Sequence, residues 1–166
     1  MHQFGHVYSL QHEMLNPVSN DWFRALELWH SAREEGVALN VSHYSNILRQ
    51  CVSGSAWEAS LDVLNKMKED GIRADCTGVG ASLSCCADAG RWEEALSVFN
   101  RFKDSERLKL DSHCYLAVLK VLKASGKADA AYAVVADQAN ASVPLQQETY
   151  ELLLECAVEA GEGERA

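Results

Sequence analysis

The stretch Arg91-Trp92-Glu93-Glu94-Ala95-Leu96-Ser97-Val98-Phe99-Asn100 decides the fold, because Ala56-Trp57-Glu58-Ala59-Ser60-Leu61-Asp62-Val63-Leu64-Asn65 repeats its pattern 35 residues earlier. A third copy, Asp21-Trp22-Phe23-Arg24-Ala25-Leu26-Glu27-Leu28-Trp29, stands a further 35 residues upstream. Trp22, Trp57 and Trp92 therefore share one register, and so do Leu26, Leu61 and Leu96. A fixed period of this size means that no single unit can bury its own apolar face, so neighbouring units stack and share a continuous core.

Outward from this register the chain reads as pairs of helices. An apolar set at residues 7–15 stops at Asn16-Pro17, and Asn20 is placed to cap a helix over 21–35 that ends at Gly36. Ser42 can cap the next helix, with Tyr44, Ile47, Leu48 and Cys51; the Ser53-Gly54-Ser55 turn breaks it, and 57–70 forms its partner before Gly71. The third pair carries Val79, Leu83 and Cys86, a turn at Ala89-Gly90, a helix over 92–105 and one extra residue in its tail. The fourth has Tyr115, Val118, Leu119 and Leu122, then Ser125-Gly126 and a helix over 128–139 in which Ala128 replaces the tryptophan. A fifth opens at Thr149-Tyr150 and stops at Gly161. The units run approximately 5–40, 41–75, 76–111, 112–146 and, partially, 147–166, as one array over 1–166. Tyr44, Val79, Tyr115 and Tyr150 occupy one slot and are expected in the core between helices. The tryptophans are expected to wedge neighbouring units apart, and an end inside a helical pattern favours an incomplete array.

Composition narrows the functions available. A formal charge of −9 and 48% hydrophobic residues, with a pI near 5.1, argue against nucleic-acid binding through bulk charge, so any such contact needs a local basic stripe. The six cysteines show no C-x-x-C spacing; Cys51 and Cys86 lie 35 apart in one repeat slot, which fits small buried residues in a reduced compartment. No apolar run approaches the roughly 20 residues of a membrane span, and the first residues look like neither a secretory signal nor an organelle presequence.

The order Tyr44-Ser45-Asn46-Ile47-Leu48, then Cys51, then Trp57-Glu58-Ala59, then Met67-Lys68-Glu69-Asp70-Gly71-Ile72-Arg73-Ala74-Asp75 resembles the pentatricopeptide repeat family. Units of that family run valine-threonine-tyrosine-asparagine, a cysteine late in the first helix, glutamate-glutamate-alanine, and methionine-x-x-x-glycine-isoleucine-x-proline-aspartate. The match is close over 41–111 and looser on either side. Ala74 replaces the usual proline, Glu106 the usual glycine, and the fourth unit lacks both tryptophan and methionine.

The resemblance implies an all-α, right-handed superhelical solenoid that binds single-stranded RNA along its first helices, each repeat reading one base with two or three side chains. The reading positions are the residue after the tyrosine and the residue four before the next tyrosine. They fall on Ser45 with Asp75, a pair that resembles guanine readers, and on Ser9 with Asn40, which resembles adenine readers. Gly80 with Asp111 and Leu116 with Gln146 are poor readers, and Glu151 occupies the last position. One turn along the first helices, Arg49 and Lys120, with Lys123, form a sparse stripe for phosphates, opposed by Glu151 and Glu155.

No catalytic constellation, metal site or cofactor motif is expected: His2 and His6 share a face but are only two ligands, His43 and His113 lack recurring partners, and Gly78-Val79-Gly80 lacks the lysine of a phosphate loop. The resemblance implies a non-catalytic protein of organellar RNA metabolism, mitochondrial or alternatively plastid, binding RNA or an assembly such as the mitochondrial ribosome. The alternative is a scaffold that holds protein subunits of a larger complex without reading RNA.

Overall fold

A computed structural model describes residues 21–105 and 107–163. The apolar set at 7–15, Ser9, His2 and His6 lie outside the described residues. Among those described, eight α-helices and no strand are present: α1 (Trp22–Glu34), α2 (Val41–Ser53), α3 (Trp57–Glu69), α4 (Cys76–Asp88), α5 (Trp92–Asn100), α6 (Ser112–Ala124), α7 (Ala128–Asn140) and α8 (Gln147–Gly163). The helices α1, α3, α5 and α7 open at steps of 35, 35 and 36 residues, and α2, α4, α6 and α8 at 35, 36 and 35. The all-α helical-repeat fold is thus the one that the tryptophan register predicts. No helix among the described residues is long and apolar enough to cross a membrane.

The chain divides into two compact units, Met1–Cys85 and Cys86–Ala166. In the first, α2 packs against α1 and α3, and Trp29, Tyr44, Ile47, Leu48, Leu64 and Met67 are at most 2% exposed. In the second, α6 packs against α5, α7 and α8, and α8 against α6 and α7. Phe99, Phe102, Leu119 and Leu122 fill the spaces between them. Burying each such side chain contributes about 1.5–3 kcal/mol, and this packing rather than intrinsic propensity holds 13-residue helices together.

Helix ends explain the sharp period. Gly36, Gly71, Gly90 and Gly126 all adopt φ between +66° and +71°, and the amide after each reaches back to a carbonyl in the last helical turn, as in Val37 to Ala32 (2.9 Å) and Ile72 to Met67 (3.0 Å). A left-handed residue at this point closes the helix and suits glycine.

Four details differ from the sequence reading. Asp21, not Asn20, caps α1, its carboxylate accepting from the amides of Phe23 and Arg24. Asn40, not Ser42, caps α2. The extra residue of the third unit widens α5 into a π-turn over Arg101–Ser105, the way a single insertion is accommodated without breaking a helix. Finally, α8 runs through Gly161 to Gly163, and Tyr150 is 54% exposed where the core was expected, while Thr149 is 1% exposed. The reason is packing: α8 turns its Thr149 and Cys156 side inward, and no described helix covers the side that carries Tyr150.

The cysteine expectation holds for five positions, since Cys51, Cys85, Cys86, Cys114 and Cys156 are free and buried. Burial pushes the thiols of Cys51 and Cys86 up to about 11, so both stay protonated and packed as small apolar groups.

Candidate nucleic-acid interface

The second of the two positions that the resemblance assigns to base reading is, at Asn40, Asp75 and Asp111, also the residue that caps a first helix. A residue in extended conformation just before a helix can offer its side-chain oxygen to the amide three residues on, and Asn and Asp do this best. Asn40 accepts from the His43 amide (3.1 Å) while its own amide donates to His43 Nδ1 (3.1 Å), completing a reciprocal capping box. Asp111 accepts from the Cys114 amide (3.0 Å), and Asp75 from the Gly78 amide (2.8 Å).

Asp75 carries a second bond. The Ser45 hydroxyl donates to the same Oδ1 at 2.9 Å, so the two residues that the family resemblance pairs, 30 positions apart, do meet. With the serine proton committed, the pair offers acceptors, the second carboxylate oxygen and the serine lone pairs, to any donor-bearing base edge. Ser45 is only 7% exposed, and Asp75 is the more accessible of the two.

Sequence reasoning missed the residue that allows this approach. A Cβ built on Gly78 would lie 3.0 Å from Leu48 Cδ1, 3.1 Å from Asp75 Oδ1 and 3.4 Å from Ser45 Oγ. The absent side chain lets the first turn of α4 sit close against α2. The signal was present: a glycine three residues after a capping aspartate, inside an otherwise ordinary helical pattern, marks a close approach.

Unit two is built differently. Leu116 is 6% exposed and faces the interior, while Gln146 is exposed; neither forms a polar pair with the other. Lys120 lies 3.6 Å from a carboxylate oxygen of Glu148, and Lys123 donates to Glu155, which holds the lysine charged and raises it above the usual range. Arg49 in unit one is exposed and donates to the Asn46 side chain. Of the three cations expected to meet phosphates, two are thus ion-paired within their own unit.

Each unit also holds an aromatic cluster at matching positions. In the first, Arg33 lies over the Trp29 ring (5.4 Å to its centroid), Tyr44 stands edge-on to Trp29 (6.4 Å), and Asp70 takes both the Tyr44 hydroxyl and Arg33 (3.1 Å). Burial, reinforced by Asp70, pushes the Tyr44 phenol up to about 12. In the second, Lys103 lies over Phe99 (5.6 Å), Tyr115 stands edge-on to Phe99 (5.1 Å), and Lys103 reaches Asp137 at 2.5 Å. A cleft of about 330 Å³ opens beside Arg33 and Asp70, walled by Val37, Leu39 and Ile72.

Two of the register tryptophans, Trp22 and Trp92, lie against the turn of the neighbouring helix pair. A Cβ on Gly54 would fall 2.1 Å from Trp22 Cδ1, so the indole lies directly on the turn between α2 and α3. In the second unit Lys127, in the turn between α6 and α7, sits 4.7 Å from the centre of the Trp92 ring.

Comparison with known proteins places this arrangement. Residues 9–166 match the family model described as the pentacotripeptide-repeat region of PRORP. The fold is similar to that of the pentatricopeptide repeat domain of Arabidopsis thaliana protein-only RNase P 1, solved in complex with tRNA, at 21% identity and a TM-score of 0.79 over 95% of this chain and 81% of that one. It is also similar to nuclear proteinaceous RNase P 2 from A. thaliana (18%, 0.81), covering 98% of this chain but 36% of that chain. A third similar structure is the pentatricopeptide repeat protein PPR10 of maize, solved with an 18-nucleotide psaJ RNA element (24%, 0.69, covering 85% of this chain and 21% of that one). No curated protein matches. A family model that spans nearly the whole sequence, on a repeat of eight regularly spaced helices, settles membership: the chain belongs to the family of the pentacotripeptide-repeat region of PRORP.

Proposed function

We propose that this chain is a non-catalytic RNA-binding repeat module, and that its base-reading capacity is concentrated in the first unit. The observation that carries the reading is the Ser45–Asp75 hydrogen bond, clamped by the Gly78 amide, at the two positions that read a base in pentatricopeptide repeats. An acceptor-rich pair of this kind favours a base that presents donors, which agrees with the guanine preference that the resemblance implies. Asn40 and Ser9 belong to the same proposal as the reader one repeat earlier, with Arg49 as the nearest cation for a phosphate. The similar structures solved with tRNA and with an 18-nucleotide element support RNA as the ligand class and supply two kinds of probe.

The test is a titration with short single-stranded RNAs that differ at one base, beside a tRNA, over a salt series. Asp75→Asn is the informative variant because asparagine caps a helix as well as aspartate does, so stability holds while the acceptor pattern changes. The expected result is a shift of base preference away from guanine with the melting temperature unchanged. Unaltered preference, or binding no stronger than to an acidic control protein, sinks the proposal.

A scaffold reading is favoured by one observation, the internal pairing of Lys120 with Glu148 and Lys123 with Glu155. Under that reading the array holds protein subunits of a larger complex and reads no RNA. An organellar setting, mitochondrial or plastid, is the finer part of this proposal and rests on the family resemblance; one similar structure is that of a nuclear enzyme, so imaging of a tagged full-length chain decides the compartment.

A further inference from the structure

The cleft of the first unit holds two polar groups with hydrogen-bonding capacity unspent. The Arg33 guanidinium lies over the Trp29 ring, and its buried Nη1 is 3.1 Å from Asp70 Oδ2, an ion-pair contact without the alignment of a hydrogen bond. The Tyr44 hydroxyl donates to that same Oδ2. Both contacts fall on one carboxylate oxygen, which leaves Oδ1 to accept from a ligand, while a guanidinium carries five N–H donors in a planar fork. Arg33 and Asp70 are each partly exposed and both line the cleft, so a ligand can reach them.

Shape and charge say what fits. The rest of the cleft, about 330 Å³, is walled by Val37, Leu39 and Ile72, an apolar lining with few polar groups and a volume within the range of small-molecule sites. Arg33 and Asp70 compensate each other and the chain carries −9, so a free anion gains little here, and a cation would compete with Arg33 for Asp70. The complementary ligand is neutral and flat, apolar on its faces, with a donor beside an acceptor on one edge. Nucleobases have this form. The location agrees with it, since the walls belong to the segments 36–39 and 70–72, which lead into Asn40 and Asp75, the residues proposed above to read successive bases.

We propose that this cleft is a nucleobase-binding site separate from the Ser45–Asp75 pair, in which Arg33 donates to an acceptor of the base, Asp70 Oδ1 accepts from the neighbouring N–H, and Val37, Leu39 and Ile72 cover the ring faces. The indole beneath Arg33 holds the fork in place before the base arrives, which lowers the cost of ordering it. The base belongs to a free nucleoside or to a nucleotide turned out of a bound strand. Only the second source rests on the RNA reading above. In the matching cluster of the second unit Lys103, paired with Asp137, supplies a point charge in place of the fork.

The probe is adenosine, titrated by equilibrium dialysis against the full chain. Saturable binding in the millimolar range or tighter is expected, and purine riboside, which lacks the exocyclic amine that Asp70 would accept from, should bind about tenfold more weakly. Adenosine monophosphate should bind no more tightly than adenosine. Arg33→Lys keeps the charge beside Asp70 but loses the planar fork, and Leu39→Trp fills the cleft; each should weaken adenosine about tenfold or more, with the helical fold verified by circular dichroism. Asp75→Asn should leave adenosine binding unchanged, so the reading pair and the cleft can fail independently. Displacement of single-stranded RNA by excess adenosine from the natural chain, and not from Arg33→Lys, assigns the base to the strand; RNA binding indifferent to adenosine assigns it to a free nucleoside. Absence of saturable adenosine binding, undiminished binding by Arg33→Lys, tighter binding of the monophosphate, or equal binding of purine riboside or of acetyl-leucine amide, which offers peptide groups instead of a base, would each overturn the proposal.

Discussion

The Ser45–Asp75 junction in the first unit and the Leu116–Gln146 positions in the second occupy the same places in the repeat, yet they are built for different work. At the first, a glycine opens room for a serine and a capping aspartate to bond each other. At the second, a leucine turns inward, and Lys120 and Lys123 further along the same helix pair with Glu148 and Glu155 of α8. Backbone register is common to both; the side chains divide the tasks. One unit keeps hydrogen-bond acceptors available, and the other uses its charges to tie first helices together.

The register tryptophans offer the hardest way to break this comparison. In the first unit Trp22 presses on Gly54, where an added Cβ would overlap the indole by more than an ångström; in the second, the equivalent turn presents Lys127 over Trp92. Overpacking costs about 1–3 kcal/mol, so Gly54→Ala should lower the melting temperature by several degrees, at roughly 2–4 °C per kcal/mol for a chain this long. Lys127→Ala removes one exposed cation–π contact worth about 0.5–1 kcal/mol. Equal thermal shifts for the two variants would show that the indoles do not sit as described.

Gly78→Ala sharpens the comparison from the reading side. Alanine gains up to about 1 kcal/mol of helix propensity over glycine, but its methyl would stand 3.0–3.1 Å from Leu48 and Asp75, and displacing the aspartate forfeits a cap of about 1 kcal/mol. These terms nearly cancel in stability. Base preference should nevertheless be lost, although Ser45 and Asp75 are both still present. A variant that binds RNA with unchanged selectivity would separate the pair from recognition.

How much of this was legible follows from what each signal measures. The period, the helix pairs and the glycine stops could be read because they repeat, and repetition averages out local ambiguity; Gly36, Gly71, Gly90 and Gly126 share one dihedral. Helix starts were read one or two residues out, since Asn20, Asp21, Asn40 and Ser42 are all good caps and only backbone geometry chooses among them. The Ser45–Asp75 partnership was visible through the family pattern, but the role of Gly78 is a three-dimensional fact about a neighbouring helix. The pairing of Lys120 and Lys123 was hidden for the same reason: Glu148 and Glu155 lie 28 and 32 residues further along. Tyr150 was misplaced because periodicity reports which face a residue occupies, not whether anything covers that face.

If unit two is silent toward RNA because its lysines are occupied, freeing them should restore a response. Glu148→Gln with Glu155→Gln removes two ion pairs whose members are mostly exposed, and such pairs contribute about 0–1 kcal/mol each. Stability should barely change. The salt dependence of RNA binding should steepen by up to about 0.7 log units per freed lysine that meets a phosphate. An unchanged slope would mean that the lysines of this helix lie away from the RNA path, and the division between the two units would then rest on geometry instead of charge.

The smallest expected effect concerns His43, which has no counterpart in the Cys114–Tyr115 region of the second unit. Its Nδ1 accepts from the Asn40 amide, which requires the neutral ring, and burial lowers its pKa from 6.5. A group whose folded pKa is depressed contributes stability above the unfolded value, and that contribution is lost as pH falls through the folded one. Stability should therefore decline below pH 6.5 more steeply in the natural chain than in His43→Gln. Glutamine can complete the capping box without titrating, and the difference should be no larger than about 1 kcal/mol, the scale of a cap. The measurement is a set of denaturant midpoints between pH 7.5 and 5, and it separates the units because Asp111 caps the equivalent helix in the second with no histidine in its box. Parallel curves for the two proteins would show that protonation of His43 is accommodated without loss of the cap.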